Sequence, residues 1–379
     1  MKKYFWFGLL GLFLFEIANV YFIMPMPGSQ EMNNIDLAYF LYKWRWIFRG
    51  LFAVMIIIGL FRSQWKRKWL LLFPIAIIAA VVYMTNFVMA ADHMFYQPKK
   101  VLMVNASENK VDSNRLVIGV SNNGEAKAYP IQFLGYHHQV QDTVGGKQMI
   151  ITYCTVCRTG RVFEPIVNGK QEKFRLVGMD HFNAMFEDAA TKSWWRQVNG
   201  EAITGKLKGQ VLPEVYNTQT SLAQWLRLNP NSVIMQADPS YLKSYDSTVK
   251  FESGASNSRL TGTDSLSWND KSWVIGVKAG KERKAYDWNQ LKAERIIHDD
   301  INKTPVLLVL GNDDKSFFAF ERPANNSRFI LHNDTLVMNN YKFRINGKGI
   351  DTSFSLKSLP AYQEFWHSWR TFNPGTMKY

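Results

Sequence analysis

The first ninety residues are almost continuously apolar. From Tyr4 to Met24 the chain reads YFWFGLLGLFLFEIANVYFIM, with Glu16 as its one charge. About twenty apolar residues cross the hydrocarbon core of a bilayer, so this run predicts a spanning helix. Trp69 to Ala91 is an uncharged run of 23 residues and predicts another. Between them, only 12 uncharged residues separate Arg49 from Arg62. A helix starting near Asn34 is long enough to span if Lys43, Arg45 and Arg49 snorkel to one interface. The expectation is three spans. Glu16 is either an intramembrane ionisable site or a carboxyl that faces neighbouring helices or is neutral, and the second reading is the simpler.

After Ala91 the pattern changes to short apolar runs broken by Gly and Asn, which predicts strands. It also recurs. Val117–Tyr129 reads VIGVSNNGEAKAY, and Val274–Tyr286 reads VIGVKAGKERKAY. The offset of 157 holds without a gap from Val117 to Glu164, with 12 identities in 48 positions. QVNGEAI at 197–203 echoes RINGKGI at 344–350, and Trp225, Asn229 and Pro230 echo Trp369, Asn373 and Pro374. Ser221–Leu228 and Ala361–Arg370 are expected to form short amphipathic helices. The expected fold class is an α-helical transmembrane N-terminus followed by a β-rich α+β soluble domain made of two diverged repeats. Its parts are a membrane region at 1–91, a first copy at 92–248 and a second copy at 249–379.

Charge refines this picture. The chain of 379 residues carries 45 basic and 31 acidic side chains, a net +14. Residues 1–91 hold nine basic groups against Glu16, Glu31 and Asp36, and the rest is only mildly basic. Lys2 and Lys3 precede the first span, and Arg62, Lys66, Arg67 and Lys68 lie between the last two. The positive-inside rule puts both clusters in the cytoplasm. The expectation is a multi-pass protein of the inner or cytoplasmic membrane, with its soluble domain on the extracytoplasmic side. Its partner is then the lipid bilayer and not nucleic acid. The long first apolar run, with no A-x-A site after it, fits a cleaved signal peptide poorly.

The candidate chemistry lies in one hairpin. Gly145-Gly146 suits a two-residue turn, because glycine reaches positive φ without penalty. Pairing Val144 with Lys147 sets Asp142 opposite Met149, His138 opposite Tyr153 and His137 opposite Cys154. Cys154-Thr155-Val156-Cys157 then turns the chain before RVFEP. A thiol and an imidazole across one rung suit a nucleophile with its base, or two ligands of Cu or Zn, with Cys157 as a third. The second copy has Gly311, Asp314 and Glu294 where the first has Cys154, Cys157 and His137. The chemistry is thus added to a scaffold that stands without it. Asn183, Trp195 and Gln197, with Asp180-His181 nearby, are candidates to line the same cleft, beside Asp142. Arg158 is expected to be solvated, and His367 has no identifiable partner.

The motif YP-x4-L-x2-H-x4-D-x-VGG followed by TYCxxCxTGxxF resembles the DUF3179 family, a domain of unknown function. Tyr129-Pro130, Leu134, His137, Asp142, Val144-Gly145-Gly146, Thr152-Tyr153-Cys154, Cys157, Thr159-Gly160 and Phe163 carry the resemblance. Asn183, Asp188, Trp195, Gln197, Gly200 and Glu201-Ala202-Ile203 fit the family's W-x-Q-x-x-G-x-A-I segment, and Phe365-Trp366 with Trp369 its C-terminal end. The resemblance spans roughly 95–379 and implies His137 rather than His138 as the matching histidine. It implies Cys154 with His137 as the firmer pair, since the family pattern lets the second Cys vary and usually has Gly at the place of Arg158. It implies no activity. Three functions stand: thiol chemistry at Cys154 and His137, Cu or Zn binding at Cys154, His137 and Cys157, or a non-catalytic envelope binding or scaffolding module.

Overall fold

A computed structural model describes residues 1–379. The chain divides into two compact units, one of Met1–Tyr96 with 172–196 and 201–211, the other of 97–171, 197–200 and 212–379.

In the first unit, Lys2–Tyr21 and Lys68–Val88 are long and apolar enough to cross a membrane. Ile35–Lys43 and Arg45–Phe61 meet at a 60° bend and add a third candidate only if counted as one span. Arg49 does not snorkel. Its guanidinium donates to both carboxylate oxygens of the fully buried Glu16, at 2.6 and 3.0 Å, and to Asn86 Oδ1 at 2.6 Å. Thr85 and Asn86 add donors to Glu16 Oε2. A carboxylate among apolar helices needs a cation and hydrogen bonds within reach, and that demand outweighs the pull of the interface on Arg49. The same unit holds a four-stranded antiparallel sheet built from Phe174–Asp180, Asn183–Asp188, Trp194–Arg196 and Ala202–Thr204. Trp194, Met185, Val177 and Ile203 pack there with Ala38 as its core.

The second unit is β-rich. One series of elements runs strand Leu116–Asn122, strand Glu125–Pro130, helix Ile131–His137, then strands Gln139–Val144, Lys147–Cys154 and Thr159–Phe163. Another runs Trp273–Ala279, Glu282–Asp287, helix Trp288–Glu294, Ile296–Ile301, Thr304–Leu310 and Phe317–Glu321. Each first strand also pairs with a late strand, Thr218–Ser221 or Ala361–Phe365, that leads into a helix, Leu222–Leu228 or Trp366–Phe372. The expected helix over Ala361–Arg370 therefore starts later, because residues 361–365 are held in a sheet. A parallel strand closes each group, Val233–Met235 or Met377–Lys378.

Matching side chains do matching work. Tyr129 donates to Asp142 at 2.8 Å, and Tyr286 donates to Asp299 at 2.9 Å. A Cβ on Gly119 would lie 2.2 Å from the Trp225 ring, and one on Gly276 would lie 2.1 Å from that of Trp369. Each glycine exists there to let an indole lie on the strand. Each late strand, paired within its own series, also hydrogen-bonds to the other series. Phe365 N–H donates to Cys157 O at 2.9 Å, while Ser221 Oγ donates to Asp313 at 2.6 Å and the Ser221 N–H donates to Ser316 Oγ at 3.0 Å.

Candidate functional site

The glycine hairpin has the expected register, with Val144 opposite Lys147 and Asp142 opposite Met149. The rung at His137 does not form. Ile131–His137 is a helix that buries Ile131, Phe133 and Leu134, and His138 ends it in the left-handed region at φ 62°. The strand begins only at Gln139. Apolar burial of one short helical face thus overrides the extrapolated strand. His137 is fully buried, and its Nε2 lies 2.7 Å from the Tyr245 hydroxyl. His138 Nδ1 lies 3.1 Å from Tyr136 O.

Cys154 ends its strand and Cys157 sits in the following turn, both fully buried and not joined by a disulfide. The second series supplies the surroundings of this turn. Lys271 Nζ donates to Val156 O at 3.0 Å and Leu260 O at 2.6 Å, and stands 4.6 Å above the Phe365 ring. His367 Nε2 lies 3.1 Å from the same Val156 O and 3.3 Å from Lys271 Nζ. Burial lowers the Lys271 pKa, and Cys157 and then Cys154 oppose that shift. The ammonium is therefore within electrostatic range of both sulfurs, and an ammonium so placed favours thiolate over thiol. The hydroxyl of Tyr153, next to Cys154, is buried without a hydrogen-bond partner. Phenylalanine would fill such a place without that loss of about 1–3 kcal/mol.

Arg158 is not solvated. It is fully buried with its guanidinium 3.5 Å above Trp273, and donates to Gln363 Oε1, Phe251 O and Glu252 O at 2.9 to 3.1 Å. Burial pushes its pKa down to about 10, against Tyr153 and Glu252. Gln197 donates to Thr152 Oγ1 and Thr159 O, and so clamps the two strands that flank the cysteine turn. Asp142 is held by Tyr129 and Lys127, an arrangement that recurs at Asp299 with Tyr286 and Lys284, where no cysteine stands. Asn183 and Trp195 belong to the first unit, where Trp195 Nε1 donates to Asp188. Asp180 there binds Arg196 at 2.6 Å and His181 at 2.8 Å.

Among the described residues, no group of three or more His, Cys, Asp or Glu side chains could hold a metal ion. Lys271 and His367 were not legible as site residues from motifs. One signal did point to them: they align with Asn114 and Ala223 in the first series, so they differ in chemical type as the cysteines do.

One buried imidazole, His138, and one partly buried imidazole, His367, give this unit an acid response. Burial is the first cause that lowers His138 to about 4, and the first that lowers His367 to about 4, with Lys271 adding to the latter. Both values lie below the unfolded-state value near 6.5, so the native state binds fewer protons. Stability is whole above about pH 6.5 and is lost as pH falls towards 4, by about 2–3 kcal/mol per histidine. Urea titrations at several pH values check this. His138→Asn, which keeps a residue tolerant of left-handed φ, is expected to remove about half of the slope.

No curated protein and no solved structure matches the chain. A family model described as a protein of unknown function, DUF3179, matches residues 97–376, which contain the glycine hairpin, the cysteine turn and both partners from the second series. That match covers well over half of the chain, and the protein belongs to the DUF3179 family.

Proposed function

We propose that this protein carries a buried dithiol, Cys154 and Cys157, as a thiol-based nucleophilic or redox site on the extracytoplasmic side of a membrane. One observation carries the reading: the Lys271 ammonium donates to Val156 O at 3.0 Å, inside the turn between the two cysteines. The orphaned Tyr153 hydroxyl beside them supports it. His137, bonded to Tyr245, is the candidate base, and Gln197 positions the turn. The β-rich unit is a duplication whose copies specialised at one spot. There the second copy closes its turn with Asp313 and Ser316, and the first has sulfurs. The recurring Tyr–Asp bonds and Gly–Trp contacts support this history. With the bent pair counted as a third span, the basic clusters at Lys2-Lys3 and Arg62–Lys68 support a cytoplasmic side for both and a soluble part outside. Cu or Zn at Cys154, His137 and Cys157 gains no support from the geometry.

The complete burial of both sulfurs favours a second reading, a scaffolding module of the envelope in which they are inert. Diamide treatment of the full-length protein in detergent separates the two. The dithiol reading expects Cys154 and Cys157 to lose two protons and two electrons to diamide and join as one disulfide, seen by peptide mass. Thiols that stay reduced until the chain is unfolded would overturn it in favour of the scaffold.

A further inference from the structure

A cleft of about 350 Å³ opens in the second unit beside Arg158, lined from both series. Its wall contains Glu252, only 7% exposed, whose Oε2 is buried and accepts no hydrogen bond. The other oxygen accepts from the Leu116 N–H, and Arg115 stands 3.8 Å away, beyond hydrogen-bond reach. A buried carboxylate oxygen is an acceptor awaiting a donor. Two cations face the same space. The Arg115 side chain makes no closer contact than that to Glu252, and the Lys292 side chain is exposed at the rim. Of the remaining charges of the wall, Asp112 accepts from the Asn114 N–H at 2.7 Å, and the others are also spent locally. Arg158 is bound to Gln363 and two backbone carbonyls, Lys315 to Asn114 O, and Asp314 to Arg295. Trp273 and Trp288, with ring centroids 6.0 Å apart, supply aromatic surface.

Arg115 and Glu252 Oε2 form a long ion pair with no hydrogen bond. Cations with unused donors select an anion, a buried oxygen without a hydrogen bond selects a hydroxyl, and aromatic surface selects a ring with apolar faces. We propose that this cleft binds an acidic sugar, its carboxylate or phosphate at Arg115 and Lys292, a hydroxyl donating to Glu252 Oε2, and its ring against Trp273 and Trp288. The assignment is independent of the thiol chemistry, and binding is expected to survive Cys154→Ser with Cys157→Ser.

Ligand-observed NMR titration of the full-length protein in detergent tests it, with glucuronate, glucose 6-phosphate, glucose and inorganic phosphate as probes. One or both acidic sugars should bind at least about tenfold more tightly than glucose or phosphate, and which one binds tells carboxylate from phosphate. Lys292→Glu, an exposed change that leaves the core intact, should weaken binding by tenfold or more. Glu252→Gln should weaken it while the Lys292 contact remains. Failure of both acidic sugars to bind would overturn the proposal. So would equal binding of plain phosphate, or binding that Lys292→Glu leaves unchanged.

Discussion

Replacing Glu364 with Ala is expected to destabilise the β-rich unit by about 3–5 kcal/mol. Glu364 is fully buried and accepts from Arg161, Thr159 and Ser368. Arg161 is 1% exposed and turns its other donors to Thr159, Gly160 O and Val198 O, with its guanidinium 3.4 Å above Tyr362. These groups join the strand after the cysteine turn to the late strand of the other series. Removing the carboxylate leaves a guanidinium in the core without its anion, and that residual charge, more than the lost pair, sets the magnitude. Urea unfolding followed by tryptophan fluorescence measures it. Arg161→Met with Glu364→Met together should be far milder than either Ala substitution alone, since it leaves no orphaned charge. A loss below about 1 kcal/mol for Glu364→Ala would show that Glu214, 3.5 Å from Arg161, takes over the role of the anion.

Much of this was legible in the sequence where local patterns decide. Gly145-Gly146 dictated the hairpin register, and the VIGV and KAY runs marked strands that recur in the same order. Apolar length marked the first and last candidate spans. Extrapolation failed where a contact distant in sequence decides. Arg158 looked like a surface group because Trp273 and Gln363, its cover, lie more than a hundred residues away. Arg49 looked like an interfacial anchor because its partner Glu16 sits on another helix. His137 was carried into a strand by continuing a correct register past the point where Ile131–His137 winds into a helix. The cysteines were visible, but the ammonium beside them was not, since Lys271 resembles any surface lysine in sequence.

The second large effect concerns that ammonium. At an effective dielectric of about 20, two unit charges near contact interact by about 4 kcal/mol, and by less as they separate. Most of that interaction is kept where burial excludes water and salt. Lys271→Met keeps the aliphatic stem and removes the charge, so the thiolate population of the pair should fall about 100-fold below its titration midpoint. Tyr153→Phe offers a control: it removes the orphaned hydroxyl and should leave the midpoint unmoved while raising stability by about 1 kcal/mol or more.

Thiol chemistry at this turn requires that Lys271 poise the dithiol. The pH dependence of alkylation by iodoacetamide, read at each cysteine by mass spectrometry in the full-length protein, tests this most directly. Lys271→Met is expected to raise the midpoint of alkylation at the cysteines by about two pH units. Identical profiles in the two proteins would contradict it.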